Sequence, residues 1–176
     1  YSALDPEGLV RLGHSKDHRH DLGQIKVMLS TLDPLAFPVG VSVLDGSRAD
    51  DPLYIPALQT VRASLGSGLL HVGDSKMAAQ EIRAHIDSHG DYYLCPLPAL
   101  QREDWPTYLD PVRQGDVELL PLTRTLPNGK VDTYAYGYTR DTTCTVESHT
   151  WTERQFVVKS VAYAASQEQA FRTRLA

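Results

Sequence analysis

Two short apolar runs rich in β-branched residues, 23–32 (GQIKVMLSTL) and 38–44 (PVGVSVL), are separated by Asp33-Pro34. Runs of this length bounded by turn residues predict two strands, most simply an antiparallel hairpin. The turn-rich stretch 45–51 follows, and Asp51-Pro52 has the form of an N-cap with proline in the first helical position. Leu58, Val61, Arg62 and Leu65 then recur at helical spacing, and Gly66 marks the end of that helix. Pro56 blurs its start, because a helix accepts proline only in its first turn.

Leu69-Leu70-His71-Val72-Gly73-Asp74 is an apolar run that stops at Gly-Asp, as a strand does. A helix is predicted over 76–88, with Ala78, Ala79, Ile82 and Ile86 on one face and His89-Gly90 as its terminus. Tyr92-Tyr93-Leu94-Cys95 forms the next strand, halted by Pro96 and Pro98. Strand, helix and strand at this spacing make a βαβ unit, which requires parallel pairing through a right-handed crossover. The chain up to Pro98 therefore belongs to the α/β class.

The texture changes after Pro98. Prolines recur at 106, 111, 121 and 127, and no long helical pattern is expected before Ser166. The runs 118–126 and 131–138 flank Pro127-Asn128-Gly129-Lys130, which predicts a hairpin around an Asn-Gly turn. Tyr134, Tyr136 and Tyr138 alternate, so their phenols share one face of the second strand. Residues 156–161 form another strand, and Ser166 with Gln169 matches a capping box opening the last helix. The expected organisation is a partial core over 1–98, a β-rich insertion over 99–161 and a core helix beginning near 162.

Composition narrows the classes of function. The chain has 176 residues, with Lys+Arg 17 against Asp+Glu 22, a formal charge of 17 − 22 = −5. That balance argues against a self-sufficient basic module that coats nucleic acid, so DNA contact would need local patches. No run of about 18 apolar residues occurs, so no membrane span is expected. Residues 1–8 lack the charged and apolar regions of a signal peptide. With only Cys95 and Cys144, a disulfide scaffold is not in play, and a reducing, cytoplasmic setting is expected. The first residue is Tyr1, and residues 165–176 read as a helix still growing, so the chain is expected to be an excerpt of a longer protein.

Candidate chemistry centres on Asp74. Ligands of open α/β sheets bind outside the carboxyl ends of strands, where loops and helix N-termini converge. A carboxylate held there suits a hard divalent cation such as Mg²⁺. The competing reading is a helix N-cap, which needs no metal. The segment GHSKDHRHD carries His14, His18 and His20 with Lys16 and Arg19. It reads as a zinc cluster, as a loop whose Lys16 and Arg19 grip phosphates, or as a solvated loop in which Asp17 and Asp21 balance the charge. The tyrosine stripe either stacks bases or packs against a neighbouring element. No phosphate-binding P-loop, dinucleotide fingerprint or G-x-S-x-G elbow is present.

Three segments in order, GHSKDHRHDLGQIKVML, GVSVLDGSRADDP and LLHVGDSKMAAQEIRAHIDSHGDYYLCPL, resemble the IS4-type transposases with a DDE catalytic domain. The similarity covers roughly residues 9–97 and continues more weakly through WTERQFVVKSVAYA. The resemblance implies a ribonuclease H-like mixed sheet with flanking helices, interrupted by a mainly β insertion before the final helix. It implies metal-dependent DNA cleavage and strand transfer by an Asp-Asp-Glu set holding two Mg²⁺ (or Mn²⁺) ions. Asp74, in VGDSKMA, matches the second aspartate, as catalytic residue and metal ligand. The first aspartate would lie on a strand ahead of Tyr1, and the glutamate on a helix past the one near Ser166. A chain with one of three carboxylates is expected not to cut DNA alone. Lys16, Arg19 and Lys76 are the expected DNA-phosphate contacts, and Gly46 with Asp50 matches a structural Gly-x-x-x-Asp turn. DNA, as transposon ends and target, is the implied partner, with a homo-oligomer as a further one. A metal-dependent nuclease on the same fold and a non-catalytic decayed remnant remain as alternatives.

Overall fold

A computed structural model describes residues 8–13, 19 and 21–175. The chain divides into two compact units, Tyr1–Ala99 and Leu100–Ala176. Its class is mixed α/β, and the described residues form four α-helices and three small sheets. None of the described helices is long and apolar enough to cross a membrane.

In the first unit, β1 (Ile25–Leu32) and β2 (Phe37–Asp45) form the expected antiparallel hairpin, with Val27 opposite Val43 and Leu29 opposite Val41. Helix α1 (Tyr54–Leu65) follows, and a Cβ on Gly40 would stand 3.7 Å from the Val61 side chain, so helix and hairpin pack closely there. The expected cap at Asp51 is replaced. A 3-10 turn over Asp51–Leu53 leads into α1, whose N-cap position is Leu53 with no side-chain bond. Pro56 is the third residue of α1, within the turn that lacks amide partners, and Gly66 at φ 85° ends the helix.

Strands β3 (Leu70–Val72) and β4 (Tyr92–Leu94) pair in parallel, Leu70 opposite Tyr92, across the helix α2 (Gln80–Ser88). Helix α2 starts later than the spacing suggested. Residues 75–78 form a separate turn in which the Met77 and Ala78 amides bond the Asp74 and Ser75 carbonyls, and extended Ala79 (ψ 138°) separates it from α2. The apolar stripe is nevertheless buried as read. Met77, Ile82 and Ile86 form the core, joined by Tyr54, Ile55 and Leu58 from α1 and by Tyr93 from β4. Both helices therefore cover the same face of the parallel pair, and Leu70, Val72, Tyr92 and Leu94 on the other face are exposed.

In the second unit the main departure is α3 (Trp105–Gln114), where no helix was expected. Pro106 sits in its first turn, where proline costs nothing, and Trp105, Tyr108, Leu109 and Val112 recur at helical spacing. Reading Pro106 and Pro111 as breakers hid that spacing. The β-rich part is a three-stranded antiparallel sheet in the order β5 (Leu120–Thr125), β6 (Val131–Val146) and β7 (His149–Ser160). The β5–β6 turn is the expected one, with Gly129 at φ 79° and the Lys130 amide donating to Asn128 Oδ1. Tyr138 is buried and its hydroxyl donates to the Tyr108 carbonyl at 2.7 Å, while Tyr134 and Tyr136 stay exposed. The last helix, α4 (Val161–Leu175), grows directly out of β7, so Ser166 and Gln169 lie inside it and form no cap.

Candidate functional site

Asp74 lies two residues beyond the last residue of β3, at the carboxyl end of the parallel pair, and is exposed. Its Oδ1 accepts a hydrogen bond from the Lys76 amide at 2.9 Å and another from the Tyr54 hydroxyl at 2.8 Å. The first bond is an Asx turn that closes the bend after β3. The second fixes the carboxylate from outside its own segment: Tyr54 opens α1 and packs against the Met77-Ile82-Ile86 core. A charged acceptor taking two donors on one oxygen is confined to a narrow range of orientations. The N-cap reading is replaced: α2 begins at Gln80 behind Ala79, and the Asp74 bond to the Lys76 amide lies within the turn that follows β3.

Gly73 has an equally local reason. A Cβ there would stand 2.7 Å from the Met77 sulfur, so a larger residue would push Met77 out of the core beneath the Asp74 turn. Lys76 is exposed on the same bend, two residues from Asp74. Arg19 is engaged elsewhere. It forms a bidentate pair with Asp21, at 2.8 Å for each bond, and that pair raises the guanidinium pKa. Phosphate contact by Arg19 would require this exposed pair to open, which is a small cost in water. Lys16, together with His14, His18 and His20, lies outside the described residues. The structure thus brings Asp74 and Lys76 together.

The Gly46 and Asp50 turn, for which the resemblance implied a structural role, is closely packed at its first residue. A Cβ on Gly46 would collide with the Gln24 backbone, and the Gly46 amide bonds the Leu9 carbonyl at 3.1 Å. Asp50 pairs with Lys26 at 2.6 Å. Asp45, directly ahead of Gly46, is held below the usual carboxylate range, first by the Ser47 hydroxyl and then by Arg48.

Sequence reasoning missed Tyr54. It is twenty positions from Asp74 along the chain, and nothing in a helix-opening tyrosine signals a distant carboxylate. Among the described residues, no group of three or more His, Cys, Asp or Glu side chains could hold a metal ion. Asp74 offers the hard oxygen donor that Mg²⁺ prefers, but one carboxylate does not build a two-ion site. No family model matches the chain, and no curated protein or solved structure matches it either.

Proposed function

We propose that the chain belongs to the catalytic domain of a DDE transposase of the IS4 type, in which Asp74 is one of three catalytic carboxylates. The observation that supports this most is the setting of Asp74. It is a rim carboxylate just past the end of a strand in a βαβ unit, oriented by Tyr54 and by the Lys76 amide. The order of elements agrees with the layout the resemblance implies: a hairpin, a helix, a βαβ unit, then a β-rich unit that ends in a helix.

The finer reading is a ribonuclease H-like sheet. Among the described residues β1 pairs with β2 and β3 with β4, so the four strands form two separate sheets. A further strand, bearing the first aspartate and lying ahead of Tyr1, would join β1 to β3 in a single mixed sheet. Arg11 already bridges Gln24 beside the start of β1. Asp74 would then face that strand's carboxylate across the rim.

Metal ions, when bound between such carboxylates, stabilise the attacking and leaving oxygens of a phosphodiester. This chain's own part is to hold Asp74 at a fixed angle on a packed base and to offer Lys76 beside it for a DNA phosphate. Lys76→Ala is expected to weaken DNA binding for all sequences alike and to make its salt dependence shallower by about one phosphate contact.

The reading is tested on the longer protein with its own DNA ends and Mg²⁺. A transposase yields joined products as well as nicked ones. Nicked products alone would favour a nuclease on the same fold, and neither product would favour a decayed remnant.

A further inference from the structure

The opposite end of the βαβ unit holds a second polar cluster that the proposed DNA chemistry does not use. Asp91, which leads into β4, is 6 % exposed. Its Oδ1 accepts the Gly68 amide at 2.6 Å and the Leu69 amide at 3.0 Å, and its Oδ2 faces His71 Nε2 at 3.4 Å. The carboxylate is thereby bonded on both oxygens. Burial opposes its ionisation, and the two amides with His71 outweigh that effect, so its pKa falls below the ordinary value.

Beside it opens a cavity of about 320 Å³, at the small end for a ligand site. Its apolar wall is Leu58, Ala63 and Ile86, and its polar wall is Arg62 and three imidazoles, with Gln59 and Asp91 itself at the lining. Arg62 comes from α1, His71 from β3, and His85 and His89 from the end of α2. The His85 and His89 rings lie 4.1 Å apart between centroids. His89 is tied down, its Nδ1–H donating to the His85 carbonyl at 2.7 Å, and Arg62 Nη2 donates to the His89 carbonyl at 2.6 Å.

Both Asp91 oxygens are already engaged, by the Gly68 and Leu69 amides and by His71, which leaves the Arg62 fork short of an acceptor. Arg62 Nη1 is buried without a hydrogen-bond partner, and its ion-pair distance to Asp91 Oδ2 is 3.7 Å, beyond a hydrogen bond. An under-bonded guanidinium is a costly feature unless something completes it. The fork is nearly a third exposed, which leaves it room to turn toward the cavity. Electrostatics point the same way. Burial, then His89, then Arg62 all disfavour a proton on His85, against a weaker pull from Asp91. With neutral imidazoles, Arg62 and Asp91 cancel, and each protonated histidine would add an uncompensated positive charge.

We propose that this cavity is a binding site for a small oxyanion, a sulfate, phosphate or carboxylate group, held by the Arg62 guanidinium and by protonated His85. The anion supplies the acceptor that Arg62 Nη1 lacks and the charge that favours a proton on His85 beside Arg62. Leu58, Ala63 and Ile86 limit the occupant to a small group with an apolar neighbour. The site is independent of Asp74.

The test is a titration of the chain with sodium sulfate, whose charge does not change near neutrality, followed by the histidine ring signals in NMR. Saturable shifts at His85 and His89 are expected, stronger on the acidic side of the ordinary imidazole pKa of about 6.5 and fading above it. Arg62→Gln is expected to weaken binding about tenfold, the worth of one charge-assisted bond. Ala63→Leu, which fills the cavity yet keeps every charge and the Arg62–His89 bond, is expected to do the same in a chain with unaltered amide signals. His85→Gln is expected to remove most of the pH dependence. Absence of saturation, or equal binding by Ala63→Leu and the parent chain, would overturn the proposal. Displacement of sulfate by a short DNA duplex would also overturn it, assigning the cluster to a nucleic-acid backbone.

Discussion

In Leu100–Ala176, β6 and β7 run for 16 and 12 residues and stay paired from Ala135–Ser160 to Val146–His149. In Tyr1–Ala99 the parallel strands β3 and β4 are three residues each. The second unit's sheet is thus held by a ladder between neighbours in sequence, which needs little from side chains to set its register. The first unit's parallel pair has three rungs, and its geometry rests on α1 and α2 packed over one face. Function is proposed where the backbone holds least and side-chain packing holds most. A carboxylate at the end of a three-residue strand keeps its angle only while the helices behind it stay in place.

The sharpest way to break this contrast is to hollow out the first unit's core. Ile86 is 1 % exposed, whereas Val158 on β7 is 53 % exposed. Ile86→Ala is expected to cost about 2–5 kcal/mol, and Val158→Ala about 0.5 kcal/mol or less. Urea unfolding checks both: the histidine ring signals of His71 and His85 report on the first unit. Fluorescence of Trp105 and Trp151 reports on the second. Equal losses would mean that both sheets depend on side-chain packing to the same degree.

Next in size is Asp91→Asn, which removes the charge that accepts the Gly68 and Leu69 amides, at a cost of roughly 1.5–3 kcal/mol near neutral pH. Because the folded pKa of Asp91 lies below its unfolded value, its stabilisation is complete above the unfolded value and is lost as pH falls through the folded one. Acid titration of stability is therefore expected to be steeper in the parent chain than in Asp91→Asn below about pH 4. Curves that stay parallel would contradict the assignment.

Smaller still is Tyr138→Phe in the second unit, expected to cost about 1 kcal/mol through the bond to the Tyr108 carbonyl. The exposed Arg154 and Asp141 pair on the same sheet, with bonds of 2.9 and 3.1 Å, marks the lower limit. Asp141→Asn is expected to leave the tryptophan-monitored urea midpoint unchanged, since water screens such pairs.

The two units also differ in how far they could be read from sequence. The hairpin at 23–44, the βαβ unit and the Asn128-Gly129 turn were legible because each rests on local signals: β-branched runs, a 3.6-residue stripe and a turn residue with φ above zero. Helix α3 was not, because Pro106 marks a helix start as readily as a loop, and its Tyr108 finds its partner, Tyr138, thirty positions away. The start of α4 was missed for a related reason. Ser166 with Gln169 has the form of a cap, whereas the cap that forms is Ser160, whose hydroxyl accepts the Tyr163 amide at 3.3 Å where β7 gives way to helix. At the rim, the exposed position of Asp74 followed from its strand, but its bond to Tyr54 depends on tertiary packing alone. The cavity cluster was invisible for the same cause, since Arg62, His71, His85 and Asp91 meet only once three elements are assembled.

The central claim is that Asp74 is a catalytic carboxylate held at the sheet rim, and one substitution tests it most directly. Asp74→Asn keeps the size of the side chain and an oxygen that can accept the Tyr54 and Lys76 bonds, so fold and rim geometry are expected to survive. In the longer protein, supplied with its DNA ends and Mg²⁺ or Mn²⁺, this variant is expected to give neither nicked nor joined product while binding DNA as before. Undiminished cleavage and joining by Asp74→Asn would contradict the account, as would Asp74-dependent nicking by the 176-residue chain alone.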